Sequence, residues 1–169
     1  MTKTAQDYLL QWLRDAHAME MQAETMLTSQ AKRIEHYPEL KARIERHIEE
    51  TRQQAKLIEG CIERCGGGTS TTKDLAGKFT AMMQGLSGIP MGDEVVKGAM
   101  AGYTFEHFEI CSYRALIAAA NVAGDAETER VCRQILKQEE EMAAWLAEHL
   151  PQVTAQFLRR VEADVSAKV

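Results

Sequence analysis

Apolar residues recur at every third or fourth position over most of this 169-residue chain, and β-branched alternation is nearly absent. That recurrence matches the 3.6-residue turn of the α-helix, so an all-α protein is predicted. Behind a capping-box pattern in "TAQD" (Thr4, Asp7), helix A runs to about Ile34. A turn at Pro38 leads into helix B, which continues to about Cys65 and stops at Gly66-Gly67-Gly68. Helix C starts after Asp93 as N-cap and reaches about Val122; helix D follows the "AGD" turn from Ala126 to His149. Residues 66–92 break the pattern: a "GGGTSTT" loop, a short helix from about Lys73 to Leu86, then "SGIPMGD". Pro151 reads as the first-turn residue of a short fifth helix.

Loop length sets the predicted topology. Short A–B and C–D turns make two antiparallel hairpins, while the long B–C link can cross the length of a bundle. The expected architecture is a ferritin-like four-helix bundle with one long crossover containing a short helix, plus a short C-terminal helix. One domain spanning residues 1–169 is expected, since the length suffices for one core and is short for two.

Acidic residues fall inside the apolar stripes. Helix A presents Leu9, Leu13, Ala16, Glu20, Ala23, Leu27 and Ile34 on one face. Helix B presents Leu40, Ile44, His47, Thr51, Ala55, Ile58 and Ile62, with Glu50 at the edge of the stripe. Helix C carries Glu109 between Phe105 and Tyr113, with Glu106 on the shoulder, and helix D carries Glu139 between Ile135 and Met142. Glu20 and Glu50 are thirty residues apart, as are Glu109 and Glu139, so two equal hairpins would bring all four to one level. A lone seam glutamate commonly packs its stem and lifts its head to water. Four at matched levels call instead for compensation, because an unpaired ion in a core costs roughly 3–5 kcal/mol. The seams offer His47 and no inward Arg or Lys; His17 is read as structural and His107 as outward-facing. Oxygen-rich ligation with one or two imidazoles suits iron or manganese, and two divalent ions would offset four carboxylates.

The remaining composition narrows the classes. A formal net charge of −5 with no basic block argues against nucleic acid as a partner. No segment has the length of a membrane span or the core of a signal peptide, so a cytoplasmic protein is expected. The four cysteines, Cys61, Cys65, Cys111 and Cys132, form no Cys-x-x-Cys pair and read as small core hydrophobes.

"WLRDAHAME", "RIERHIEET", "GYTFEHFEICSY" and the glutamate run of helix D together resemble the YciE/YciF family of bacterial ferritin-like proteins, its YciE members most. The resemblance implies a cytoplasmic, often dimeric bundle linked to stress responses. It also implies a metal site at Glu20, His47, Glu50, Glu106, Glu109 and Glu139. The sequence departs from the wider di-iron pattern, since Gln53 and Met142 stand where Glu-x-x-His would place histidines, and His47 precedes its glutamate. The expected function is binding of iron or manganese, one or two ions, in the bundle core, with redox chemistry on peroxide or O2 as the associated reaction. Against it stands a homodimer that binds metal without turnover, or a metal-free structural and interaction module.

Overall fold

The computed structural model describes residues 2–68, 92–163 and 165–167. Among these residues there are four long helices: α1 (Ala5–Arg33), α2 (Pro38–Arg64), α3 (Glu94–Ala123) and α4 (Ala126–Glu162). Among the described residues there is no strand. The short helix expected over residues 73–86 lies outside the described residues.

Each boundary has a local cause. Thr4 and Asp7 close the capping box at the start of α1. Pro38 occupies the first turn of α2, where its missing N–H costs nothing. Gly124 ends α3 at φ 73°, a left-handed cap that favours glycine, and the Asp125 side chain then accepts from Thr128 N to open α4.

Contacts across the seams fix the topology. Arg33, at the end of α1, pairs with Glu94 at the start of α3. Nineteen residues earlier in α1, Arg14 Nε donates to the Gly68 carbonyl at 3.0 Å, just beyond α2. The two ends of the α2–α3 connection are therefore separated by about two-thirds of the length of α1, roughly 28 Å for the nineteen residues between Arg14 and Arg33 at 1.5 Å each. α1 packs on α2 and α3, α4 packs on α2 and α3, and α2 and α3 stand diagonally opposed. This is the single-crossover arrangement expected from loop lengths.

The expected short fifth helix is corrected: α4 runs unbroken to Glu162 with Pro151 in its interior. An interior proline forfeits one backbone hydrogen bond and costs about 3 kcal/mol. Docking of the segment beyond it offsets this. Val153 is buried, Gln156 Nε2 donates to the His36 carbonyl at 2.8 Å, and the buried Tyr37 hydroxyl donates to the Ala167 carbonyl.

The core divides into two apolar clusters. One gathers Leu9, Leu13, Ile58, Ile62, Cys132 and Ile135. The other gathers Leu27, Ile34, Leu40, Ile44, Met142 and Leu146. Between them along the helices lies a polar layer, whose surroundings strengthen every electrostatic interaction inside it.

Candidate metal centre

The polar layer is built from all four helices. Glu20 comes from α1, His47 from α2, Glu106 and Glu109 from α3, and Glu139 from α4; each is 1% exposed. One ligand-capable atom from each of His47, Glu106, Glu109 and Glu139 lies within 4.8 Å of the others. His47 Nε2 is 3.3 Å from Glu106 Oε2 and 3.4 Å from Glu139 Oε2, while Nδ1 is 2.8 Å from Glu50 Oε2. Tyr113, four residues beyond Glu109, donates its buried hydroxyl to Glu20 Oε1. Gln54, seven beyond His47 on the same face, donates to Glu139 Oε1.

Buried oxygens of the layer are left short of partners. Glu20 Oε2 and Glu109 Oε1 have no hydrogen-bond partner, nor does Gln54 Oε1, while Glu106 Oε2 and Glu139 Oε2 share the single His47 Nε2, at 3.3 and 3.4 Å. Each unsatisfied buried acceptor costs about 1–3 kcal/mol, so native cores rarely retain several together without a reason.

Electrostatics follow from this crowding. Burial, reinforced by the charge of Glu139, holds the Glu20 and Glu109 carboxyls well above the usual range. Burial also lifts Glu139 to about 7, against the opposing hydrogen bond and charge of His47. For His47, burial pulls the other way, but the Glu106 charge and hydrogen bonds from its carboxylate neighbours hold it well above its ordinary value. The cluster therefore stores protons: without another cation, added acid is held on carboxyls and imidazole together.

Three placements correct the sequence reading. Glu106, expected on a shoulder, is as deeply buried as Glu109, because α3 packs against α1 and α4 together and its inward arc is wide. An inward cation does exist: Arg43, one turn before His47, is 6% exposed and donates from Nη1 to Glu50 Oε2 at 3.2 Å. Cys111 is exposed rather than in the core, whereas Cys61 and Cys132 are buried as expected. Glu50 stands at the rim, its side chain 24% exposed.

The family described as a domain of unknown function, DUF892, matches residues 4–159. The chain belongs to that family. A protein of solved structure from Xanthomonas campestris pv. campestris is 45% identical, with 94% of this chain and 99% of that one covered and a TM-score of 0.81. The Escherichia coli stress protein YciF is 20% identical over 88% of this chain and 96% of its own, with a TM-score of 0.75. A dodecameric thioferritin, the bacterioferritin-related protein of Bacteroides fragilis, is 22% identical over 89% and 88%, also at 0.75. The last two likenesses bear on the fold, which is ferritin-like, and the family match agrees with the YciE/YciF motifs.

Within this DUF892 bundle the donor set is four carboxylates and one imidazole. Gln53, where a Glu-x-x-His motif would put a histidine, is exposed, and Met142 fills the equivalent inward position on α4. Sequence reasoning gave no role to Arg43, Gln54 or Tyr113. All three sit at one- or two-turn spacing from an inward site residue, which is the signal that would have found them. Soft ligands stand apart: Cys61 and Cys132 are each seven residues, roughly 10 Å along the axis, from Gln54 and Glu139.

Proposed function

We propose that the buried layer binds iron or manganese, one or two ions, in a ferritin-like protein associated with bacterial stress. The observation that carries the reading is the buried group of Glu106, Glu109 and Glu139 carboxylates gathered with His47, with the unpartnered Glu20 Oε2 in the same layer, an oxygen-rich donor set that a hard or borderline divalent cation would satisfy. Glu20, His47, Glu106, Glu109 and Glu139 would hold the ions. Ferrous iron, when bound, would supply one electron per ion towards the reduction of peroxide or O2.

The chain's own residues prepare the site. Tyr113 orients Glu20 and Gln54 orients Glu139 through buried hydrogen bonds, which reduces the ordering required on binding. The apolar clusters on either side limit water. Protons held on the carboxyls and on His47 would be displaced as the cation arrives, coupling occupancy to pH.

The test is metal analysis of protein purified without chelators, followed by peroxide consumption by the reduced, iron-loaded form. Repeated turnover with an external reductant supplied supports redox catalysis. Consumption that stops at one peroxide per two Fe2+ would place the protein among metal-binding bundles without turnover, a reading that its lone inward imidazole favours. Absence of metal in every preparation would overturn both.

The chain is expected to act in the cytoplasm as a homodimer. Among the described residues no helix is long and apolar enough to cross a membrane. Trp12 and Phe108 are exposed on α1 and α3 and line an apolar groove with Met19 and Leu116, and Tyr8 is exposed one turn before Trp12. Burying these aromatic side chains against a second copy would suit their apolar surface. A scattering mass near twice the 18.9 kDa of one chain supports this, and a monomer refutes it.

A further inference from the structure

Resting on that metal-binding reading, we propose that Arg43 and Glu50 are not part of the ligand set but a positioning pair that holds His47 with Nε2 aimed at the ions. The two nitrogens of an imidazole point away from each other. Glu50 Oε2 lies on the Nδ1 side, at 2.8 Å, while Glu106 and Glu139 lie on the Nε2 side, at 3.3 and 3.4 Å. An ion beside Nε2 is thus across the ring from the Glu50 oxygen that binds Nδ1.

That oxygen is also committed twice. Glu50 Oε2 accepts from Nδ1–H of His47 and from Nη1 of Arg43 at 3.2 Å. Arg43 is itself buried and carries a permanent charge, so it neutralises Glu50 where the carboxylate is only partly in water. A carboxylate so paired is a poor candidate to swing inward and bridge ions, since leaving would strand a buried guanidinium.

Two consequences follow. The proton on Nδ1 is fixed by Glu50, which leaves Nε2 as the nitrogen that gives up its proton to a cation. The charge balance also closes: with Glu50 neutralised by Arg43, the four carboxylates of Glu20, Glu106, Glu109 and Glu139 remain, matched by two divalent cations. The histidine precedes its glutamate in "HIEE" because the glutamate serves the ring from behind.

The sign of one substitution separates this arrangement from a ligand role for Glu50. Arg43→Met keeps most of the stem packing and removes the charge. If Glu50 were a ligand, losing Arg43 would free its carboxylate and remove a repelling cation, so Mn2+ would bind more tightly. If Arg43 and Glu50 position His47, Arg43→Met weakens Mn2+ binding by about 10–100-fold at unchanged ions per chain. Arg43→Lys restores part of the loss. Glu50→Gln, which keeps an acceptor for Nδ1, also weakens affinity without losing an ion, and the double variant is no weaker than the worse single one.

The measurement is Mn2+ titration of metal-free protein followed by electron paramagnetic resonance, with helicity recorded for each variant. If Arg43→Met fails to fold, Glu50→Gln still decides, because loss of a whole ion per chain would make Glu50 a ligand. Unchanged or tighter binding by Arg43→Met overturns the proposal while leaving the metal site intact. Failure of wild-type protein to bind either Mn2+ or, under anaerobic conditions, Fe2+ would instead overturn the function on which it rests, and this proposal with it.

Discussion

Stripping metal from the protein should make its stability fall as pH rises from 5 to 7.5, against the behaviour of a surface-charged helical bundle. A carboxyl whose folded pKa is raised binds more protons in the native state than in the unfolded one between its two pKa values. Its contribution is fully present below the unfolded pKa and is lost as pH rises through the folded one. Glu139 moves from 4.5 to about 7. At about 1.4 kcal/mol per pH unit, that one group withdraws about 3 kcal/mol across the interval. In a chain of this size, this corresponds to a melting temperature lower by about 6–12 °C. Glu20 and Glu109, raised mainly by burial, act with the same sign, and so does His47 above 6.5. The lowered group Glu50 acts oppositely, its contribution being present above its unfolded pKa and lost as pH falls through the folded one, so the optimum should sit near pH 5. Calorimetry of metal-free protein at several pH values measures the slope, and Glu139→Gln should remove about 3 kcal/mol of it. A melting temperature that is level or rising from pH 5 to 7.5 would refute the reasoning.

Other perturbations reach different parts of the same account. Glu109→Leu should stabilise metal-free protein at pH 7.5 by about 1–3 kcal/mol, since a costly buried carboxylate is replaced by an apolar side chain, while abolishing the rise in melting temperature given by Mn2+. Glu49→Ala, at an exposed position paired with Arg52, is the control and should stay within about 0.5 kcal/mol under both conditions. Thermal unfolding of both, with and without Mn2+, checks this; equal behaviour would contradict it. Tyr37→Phe should cost about 1–2 kcal/mol in denaturant unfolding, because the buried hydroxyl that holds the Ala167 carbonyl is lost. No change would mean the C-terminal docking contributes nothing.

Helix positions and topology were legible because the signals are local or geometric. The Thr4 capping box, Pro38, Gly124 and the contrast between turns and a long link determine where helices stop and which neighbours they choose. The 3.6-residue period likewise put Glu20, His47, Glu109 and Glu139 inside. Pro151 misled because its local cost is outweighed by tertiary contacts of Val153 and Gln156, which no local pattern reveals. Arg43 was missed because a charged residue beside an apolar stripe reads as a solvated shoulder. Only the position of Glu50 at the rim shows why a guanidinium is buried there. Glu106 was underrated for a related reason, since the width of a buried arc depends on how many helices pack against it.

The central claim is that the buried carboxylate layer is a cation site, and anaerobic calorimetric titration of metal-free protein with Mn2+ or Fe2+ tests it most directly. The titration should saturate at one or two ions per chain, with affinity rising between pH 5 and 7.5 and protons released on binding, measured from the buffer dependence of the heat. Glu20→Ala, Glu109→Ala and Glu139→Ala should each lose sites or affinity, and Glu49→Ala should not. Binding that is absent in the wild type, or equal in all of these variants, would contradict the claim.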